Sequence, residues 1–340
     1  MAWPIEFGGL VFFAAGALSF VLLLCLKPML QRYALAKPNA RSSHKTPTPQ
    51  GGGIAVIGAT GVVLAGTAIF FPAAIDEAWR LAVIFTSVIA LAVIGIADDV
   101  HPIAALPRLI LQAAAVALVV AVLPDDLRAL SFLPWWVERV LMFGALLWFV
   151  NAVNFMDGID WMTVAEVVPV TTGFAIFGLM GVSPAGATLV ALSLCGAMIG
   201  FAPFNKPIAQ IFLGDVGSLP IGLVLGWLLV LLAGQGYLVA AILLPLYYLA
   251  DATITLLRRF ANGEAVMQAH RSHFYQRALD NGLSVYQIVG RIFVVNVVLA
   301  ALAAATIFST TPVFQLTVLA AGCALVGALL WSFTRADGKQ

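Results

Sequence analysis

Two aspartates, Asp157 and Asp160, stand three residues apart in the stretch NAVNFMDGIDWM, directly after a long apolar run. Asn151 and Asn154 precede them at the same spacing, so a continuing helix would align all four side chains on one face. Ionised carboxylates are costly in hydrocarbon and mark functional sites when they occur at a membrane segment. The end of a helix does not by itself require four aligned polar side chains, so we interpret these four residues as part of a functional site.

Other acidic residues also follow apolar runs. Asp98 and Asp99 end one run in GIADDV, and adjacent carboxylates repel each other unless water or a cation lies nearby. Asp215 lies in FLGDVGSLPIG, where glycines would let the backbone approach a ligand closely. A carboxylate at this place can hold a divalent metal that in turn holds phosphate oxygens. A solvated helix end and a plain turn are the alternative interpretations of these two motifs.

Basic residues and histidines concentrate in two loops. Arg41, His44 and Lys45 precede the glycine-rich stretch TPTPQGGGIAV, which is equally compatible with an ordinary Pro-Gly loop. The longest loop contains AHRSHFYQRALDNG, which predicts a short helix ending at Asn281-Gly282. On such a helix His270, His273 and Arg277 would form one cationic face, although a surface helix can show this pattern by chance.

Composition identifies the elements that must position these residues. The chain has 340 residues, of which 62% are hydrophobic and 10% charged, and its mean hydropathy is +1.03. Soluble domains carry roughly 25% charged residues, so we predict an all-α, polytopic membrane protein, a single domain over residues 1–340. Since a membrane crossing takes about 20 apolar residues, we expect ten to eleven transmembrane helices, near 7–27, 52–71, 81–97, 108–123, 139–156, 163–181, 184–203, 217–235, 238–257, 286–308 and 313–333.

Positive charge predicts the orientation of these helices. Of the 17 lysines and arginines, all but Arg80, Arg128 and Arg139 fall in or beside one alternate set of connections, if Arg291, a few residues into a span, and the C-terminal tail are counted with that set. The positive-inside rule makes that set cytoplasmic and places the N-terminus outside. The set comprises loops near 28–51, 98–107, 156–162, 204–216 and 258–285, which contain the acidic and histidine motifs. Their convergence on one side predicts binding of a metal and a diphosphate at the membrane surface.

The motifs PTPQGGG, GIADDV, NAVNFMDGID and FLGDVGSLPIG, followed by the histidine-bearing loop, occur in the order typical of one family. From about residue 41 to 280 the chain resembles the polyprenyl-phosphate N-acetylhexosamine-1-phosphate transferases. The resemblance implies a multi-span fold, an active site facing the cytoplasm in the cell inner membrane, and dependence on Mg²⁺ or Mn²⁺. It also implies transfer of a sugar 1-phosphate from a UDP-sugar to a polyprenyl phosphate, with release of UMP.

The resemblance also assigns roles to residues by position. It implies one metal ligand, Asp215. It implies catalytic roles for Asp98, Asp99, Asp157, Asp160 and His273. Together with the basic and amide side chains of the same motifs, it predicts substrate-binding roles for Lys45, Asn151, Asn154, His270, Arg271 and Arg277.

Two departures from the family pattern narrow the expected substrate. His273 is followed by Phe274 rather than by further histidines, and Trp161 stands where many members have glycine. A bulky indole there could reshape the pocket. Both departures favour the branch that starts O-antigen or another surface polysaccharide over the muramoyl-pentapeptide enzymes. The expected partners are a UDP-N-acetylhexosamine and undecaprenyl or another polyprenyl phosphate, with no nucleic acid; the sugar and a homodimer are left open.

A secondary transporter of an anionic or phosphorylated solute is the main alternative. Transporter sites lie near the bilayer midplane on broken helices, whereas the acids here cluster at the ends of predicted spans. A transporter would use the intramembrane groups Glu166, Asn296 and Gln112. We interpret these three as partners in hydrogen bonds between helices.

Overall fold

The computed structural model of the chain describes residues 5–36, 47–75, 77–264 and 270–335. Within these ranges the fold is helical, apart from a pair of antiparallel two-residue strands, β1 (Leu35–Ala36) and β2 (Thr48–Pro49). The helices are α1 (Ile5–Tyr33), α2 (Gly53–Phe70), α3 (Ala78–Val100), α4 (Ala105–Ala121), α5 (Trp135–Met156), α6 (Met162–Leu179), α7 (Ala185–Phe201), α8 (Asp215–Gly234), α9 (Leu238–Leu243), α10 (Leu246–Ala261), α11 (Phe274–Asp280), α12 (Val285–Ala305) and α13 (Pro312–Thr334).

The prediction of an all-α polytopic membrane protein is confirmed. In the described part of the chain, eight helices are long and apolar enough to cross a membrane, and α4 and α7 are shorter apolar helices. The predicted span 238–257 is instead divided into α9 and α10. Pro245 lies at the break, where it has no N–H to donate and its ring would clash with the preceding turn of a continuous helix.

Helix α8 forms the centre of the bundle. In its span 94% of the residues are buried, compared with 28% in α3, which exposes much of its surface. Gly95 of α3 lies directly against the first turn of α8, because a Cβ added there would be 2.4 Å from the backbone of Asp215. This contact brings the end of α3 to the beginning of α8, so that two of the acidic motifs meet.

Two pairs of polar side chains lie between helices within the membrane. The Asn151 amide donates to Gln112 Oε1 at 2.9 Å, and the Asn296 amide donates to Glu166 Oε2 at 2.7 Å. The interpretation of Gln112, Glu166 and Asn296 as helix–helix hydrogen-bonding groups is confirmed by these contacts. They join α4 to α5 and α6 to α12.

Candidate active site

Four of the predicted aspartates line one cavity of about 210 Å³ where α3 and α5 end and α8 begins. We call this cavity the acidic cleft, and its carboxylates are those of Asp99, Asp157, Asp160 and Asp215. Gln50, Asn205 and the backbone of residues 212–214 complete much of its wall. The structure thus brings together residues from three separate motifs.

Asp99 is attached to the first turn of α8. Its Oδ1 accepts from the backbone N–H of Asp215 at 3.1 Å, and its Oδ2 accepts from that of Val216 at 3.2 Å. The first N–H groups of a helix have no partner within the helix and favour an anion. Asp99 therefore holds the start of α8 in place while its carboxylate lines the cleft.

Asp98 is not among the residues that line the acidic cleft, although its carboxyl contacts that of Asp215. Its Oδ2 pairs with Arg108 at 2.7 Å, and its Oδ1 accepts from the backbone N–H of Ile103 at 2.5 Å. Arg108 also lies 3.6 Å from Asp215 Oδ2. Arg108 did not emerge from the sequence as a site residue. The available signal was a lone arginine opening an apolar helix on the side where the acids lie.

Asn154 orients Asp215. Its amide donates to Asp215 Oδ1 at 2.7 Å and to Ser218 Oγ at 2.9 Å, which joins α5 to the first turn of α8. Asn151, predicted to bind substrate with Asn154, lies one turn deeper and donates to Gln112 and to the Leu147 carbonyl. The structure does not bring Asn151 to the cleft, because its amide is used between helices.

Asp157 and Asp160 reach the cleft without sharing a helix face. Helix α5 ends at Met156 and α6 begins at Met162, which confirms the predicted loop near 156–162, so the condition of a continuing helix is not met. Within this loop Gly158 leaves room for Tyr275, since a Cβ at this position would lie 2.0 Å from the Tyr275 hydroxyl. Asp160 is buried in the resulting loop, where its Oδ2 accepts from the backbone N–H of Ala209 at 3.0 Å.

Burial raises the pKa of the Asp157 carboxyl to about 7. The negative charges of Asp99 and Asp160 contribute to this increase, while a 2.5 Å hydrogen bond from the Thr163 hydroxyl opposes it. Desolvation and like charges both disfavour the ionised carboxyl, and a donor favours it. Asp157 therefore gains or loses a proton near neutral pH, which is typical of groups in active sites.

The histidine-bearing loop has a shorter helix than predicted. Helix α11 starts at Phe274, with His273 as its N-cap, and it ends before Asn281 and Gly282 as expected. His270 precedes the helix, so helical spacing does not align it with His273, and the predicted exposed cationic face is wrong. The two imidazole rings nevertheless lie 4.8 Å apart, and His273 is buried.

Asp251 anchors this loop and was not identified as a site residue from the sequence. It is completely buried in α10, and its Oδ1 lies 3.1 Å from His273 Nδ1. The backbone N–H groups of Phe274 and Tyr275 donate to the same carboxylate at 3.0 and 3.3 Å. The available signal was an acidic residue inside an apolar segment.

Tyr275 joins this loop to the acidic cleft. Its hydroxyl donates to the Phe155 carbonyl at 3.3 Å and lies over Gly158. The His273 ring lies 6.5 Å from the Phe155 ring and stacks at 5.8 Å on Tyr275. The histidine pair is thus placed beside the loop that carries Asp157.

The remaining predicted basic residues are arranged differently. Arg271 pairs with Asp280 at 3.1 Å, so part of its charge is neutralised within the loop. The Arg277 guanidinium lies 6.0 Å from the centre of the Phe274 ring. Lys45, with the neighbouring Arg41 and His44, lies outside the described residues.

Trp161 does not fill the acidic cleft, contrary to the expectation that its indole could reshape that pocket. It adopts φ +62° just before α6, a conformation that favours glycine. Its backbone N–H donates to Asn205 Oδ1 at 2.7 Å and its indole N–H donates to the Ala202 carbonyl at 2.6 Å. The indole instead lines a separate apolar pocket of about 350 Å³, opposite Tyr286.

The donor groups of the cleft suit a hard divalent cation. Among the described residues, no three acidic, histidine or cysteine side chains converge to form a complete metal site. Mg²⁺, however, binds oxygen and commonly takes only one or two carboxylates, with phosphates and water as its other ligands. The neighbouring carboxylates of Asp99 and Asp215 fit this partial set.

Comparison with known proteins gives a consistent result. Residues 81–233 match the family described as "Glycosyl transferase family 4". A probable undecaprenyl-phosphate N-acetylglucosaminyl 1-phosphate transferase from Bacillus subtilis is 28% identical, with 82% of each chain covered. A phospho-N-acetylmuramoyl-pentapeptide-transferase from Desulforamulus reducens is 31% identical over 64% of this chain and 72% of the relative. A decaprenyl-phosphate N-acetylglucosaminephosphotransferase from Mycolicibacterium smegmatis is 27% identical over 81% and 76%.

Proposed function

The chain belongs to glycosyl transferase family 4, the polyprenyl-phosphate hexosamine-1-phosphate transferases, and on this premise we propose that it transfers an N-acetylhexosamine 1-phosphate from a UDP-sugar to undecaprenyl or another polyprenyl phosphate. The observation that carries the proposal is the acidic cleft, where carboxylates from three motifs meet at helix ends. A lipid phosphate at headgroup level and a nucleotide from the cytoplasm can both reach such a position. The active site then faces the cytoplasm from the bacterial inner membrane.

The proposed reaction is a direct displacement. An oxygen of the lipid phosphate attacks the sugar-linked phosphorus of the UDP-sugar and forms a new P–O bond. The bond to the bridging oxygen breaks, and UMP leaves with that oxygen. Because a phosphate monoester has a second pKa near 6, the acceptor is mostly dianionic at pH 7, and a strong base is not needed.

Bringing two anions together is the main electrostatic difficulty in this reaction. Arg108 lies 3.6 Å from Asp215 Oδ2 and the His273 ring lies 6.5 Å from that of Phe155, and both groups are proposed to bind phosphate oxygens. Asp157 and Asp160 line the cleft with Asp215 and are proposed to contact the nucleotide or the acceptor. A covalent route through Asp98 or Asp99 is the minor alternative, because a dianionic acceptor can attack directly and needs no protein nucleophile.

Asp215, with Asp99 beside it, would hold Mg²⁺ or Mn²⁺. Such an ion supplies positive charge to the diphosphate oxygens. We expect Asp215→Asn to reduce turnover at least 1,000-fold, on the order of what electrostatic groups contribute. Turnover is measured across a range of Mg²⁺ concentrations, with Asp126→Asn, an exposed aspartate away from the cleft, as the control. Near-normal activity of Asp215→Asn would contradict the assignment.

The finer identity of the substrate is also a proposal. The departure after His273 supports the branch that starts O-antigen or a similar surface polysaccharide, whereas the Trp161 indole lies in a separate pocket and does not support it through the cleft. The curated relatives include both N-acetylglucosamine phosphate transferases and muramoyl-pentapeptide transferases. The identity of the transferred sugar is therefore tested by direct assay.

The decisive experiment supplies purified protein or membranes with undecaprenyl phosphate, Mg²⁺ and one UDP-sugar at a time. The panel contains UDP-GlcNAc, its 6-deoxy relatives, other UDP-N-acetylhexosamines and UDP-muramoyl-pentapeptide. We expect UMP and a lipid-linked sugar diphosphate in equal amounts with an N-acetylhexosamine donor. Absence of product with every donor, combined with uptake of an anionic solute into proteoliposomes, would favour the transporter alternative.

A further inference from the structure

Asp251 is a buried carboxylate outside the acidic cleft, and the proposed reaction does not use it directly. It receives five hydrogen bonds: from the Tyr247 hydroxyl, the Thr255 hydroxyl, His273 Nδ1, and the backbone N–H groups of Phe274 and Tyr275. A buried carboxylate is stable only when its oxygens are well satisfied. Because both oxygens of Asp251 accept hydrogen bonds, its carboxylate is stabilised at this buried position.

The contact with His273 determines which ring nitrogen can meet a substrate. An ionised carboxylate has no hydrogen to donate, so Asp251 is the acceptor in this contact. The His273 imidazole must therefore carry a hydrogen on Nδ1. Nδ1 is thereby occupied, and Nε2 is the ring nitrogen left for another partner. The same arrangement holds for the neutral ring and for the imidazolium.

The same carboxylate fixes the position of the ring. The N–H groups of Phe274 and Tyr275 open α11, and both donate to Asp251. The backbone of His273 is further held by the Gln276 side chain at 3.2 Å. Since Tyr275 contacts the Phe155 carbonyl, Asp251 controls both the tautomer of His273 and its distance from the cleft.

We propose that Asp251 is a positioning residue that presents Nε2 of His273 to the anionic diphosphate. This inference rests on the proposed function, in which His273 meets phosphate oxygens. An asparagine cannot replace the carboxylate fully. In either orientation of its amide, the NH₂ group would face a backbone N–H of α11 that now has an acceptor.

A double-mutant cycle tests the proposal. The variants are Asp251→Asn, His273→Gln and the combination, and kcat and KM for the UDP-sugar are measured for each. We expect Asp251→Asn to lower kcat/KM about 10- to 100-fold, the effect typical of a partner that orients a functional histidine. In the His273→Gln background the same change should cost less than about threefold. Thr255→Val, which removes another donor to the same oxygen, is the matched control and should stay within about threefold of the original protein.

An equal loss in both backgrounds would overturn the proposal, because it would show that Asp251 acts only as a structural anchor. A second measurement does not depend on turnover or on a stable Asp251 variant. The protein is labelled with ¹⁵N-histidine, and the His273 signal is assigned by its loss in His273→Gln. We expect a protonated Nδ1, and a bare Nδ1 with a protonated Nε2 would contradict the inference. Failure of the original protein to release UMP would instead overturn the proposed function and leave this result standing.

Discussion

At the scale of single residues, the aspartates of the site differ in their partners. Asp99 is held by two backbone N–H groups, Asp215 by Asn154, and Asp98 by Arg108. Asp157 receives a hydrogen bond from Thr163, and burial brings its pKa to about 7. Residues of one type are therefore held in different ways within one site, because the hydrogen-bond donors around each carboxylate differ.

Thr163 gives a prediction about pH. Thr163→Val removes a donor that favours the ionised carboxyl, so the pKa of Asp157 should rise further above its usual value. If the ionised form is the active one, the acidic limb of the kcat/KM profile should move to higher pH by about one to two units. A hydrogen bond to a charged group contributes roughly 1.5–3 kcal/mol, and one unit corresponds to about 1.4 kcal/mol.

The profile is measured on the purified enzyme with saturating acceptor. Thr171→Val is the control, because Thr171 lies on the same helix and donates to carbonyls of that helix, not to Asp157. An unchanged acidic limb in Thr163→Val, or an equal displacement in Thr171→Val, would show that Asp157 does not govern this limb.

At the scale of elements, the site depends on close contacts between helix ends. Gly95 lets α3 touch the backbone of α8 where Asp215 begins the helix. Gly158 lets Tyr275 settle on the loop between α5 and α6. Each contact positions residues that line the acidic cleft. At Gly95 and at Gly158, an added Cβ would collide with the residue packed against it.

We predict that Gly95→Ala lowers both stability and activity. The added Cβ would lie 2.4 Å from backbone atoms of Asp215 and Val216, and backbone cannot move aside as a flexible side chain can. Overpacking of this kind costs about 1–3 kcal/mol, which should appear as a lower melting temperature in detergent. Gly66→Ala is the control, since nothing lies within 4 Å of its added Cβ. Equal behaviour of the two variants would contradict the tight α3–α8 contact.

At the scale of the whole molecule, the polar residues of the site gather at one end of the bundle. The opposite end has its own polar cluster, in which Glu138 pairs with Arg128 and accepts from the backbone of Leu130. Within this second cluster the buried Glu138 carboxylate is paired with Arg128. These two charges on the side predicted to face outward therefore have a structural role.

Orientation in the membrane follows as a whole-molecule prediction. In a chain whose three native cysteines are replaced, Asp126→Cys should react with a membrane-impermeant maleimide in intact spheroplasts. Lys206→Cys should react only after the membrane is broken. Both original residues are exposed in the structure, so access is governed by the bilayer. Reversed labelling would overturn the orientation, and labelling of both from outside would overturn the placement of the two loops on opposite sides.

The sequence by itself determined the membrane fold, because spans follow from the local length of apolar runs. It also indicated the aspartates of the cleft and the end of α11, which depend on residue types at helix ends. Other features depend on contacts that only the folded chain makes. Glycine is needed at position 158 because Tyr275 lies over it, and the position of His273 depends on Asp251, 22 residues earlier. Such contacts join residues distant in the chain, so no local pattern of the sequence encodes them.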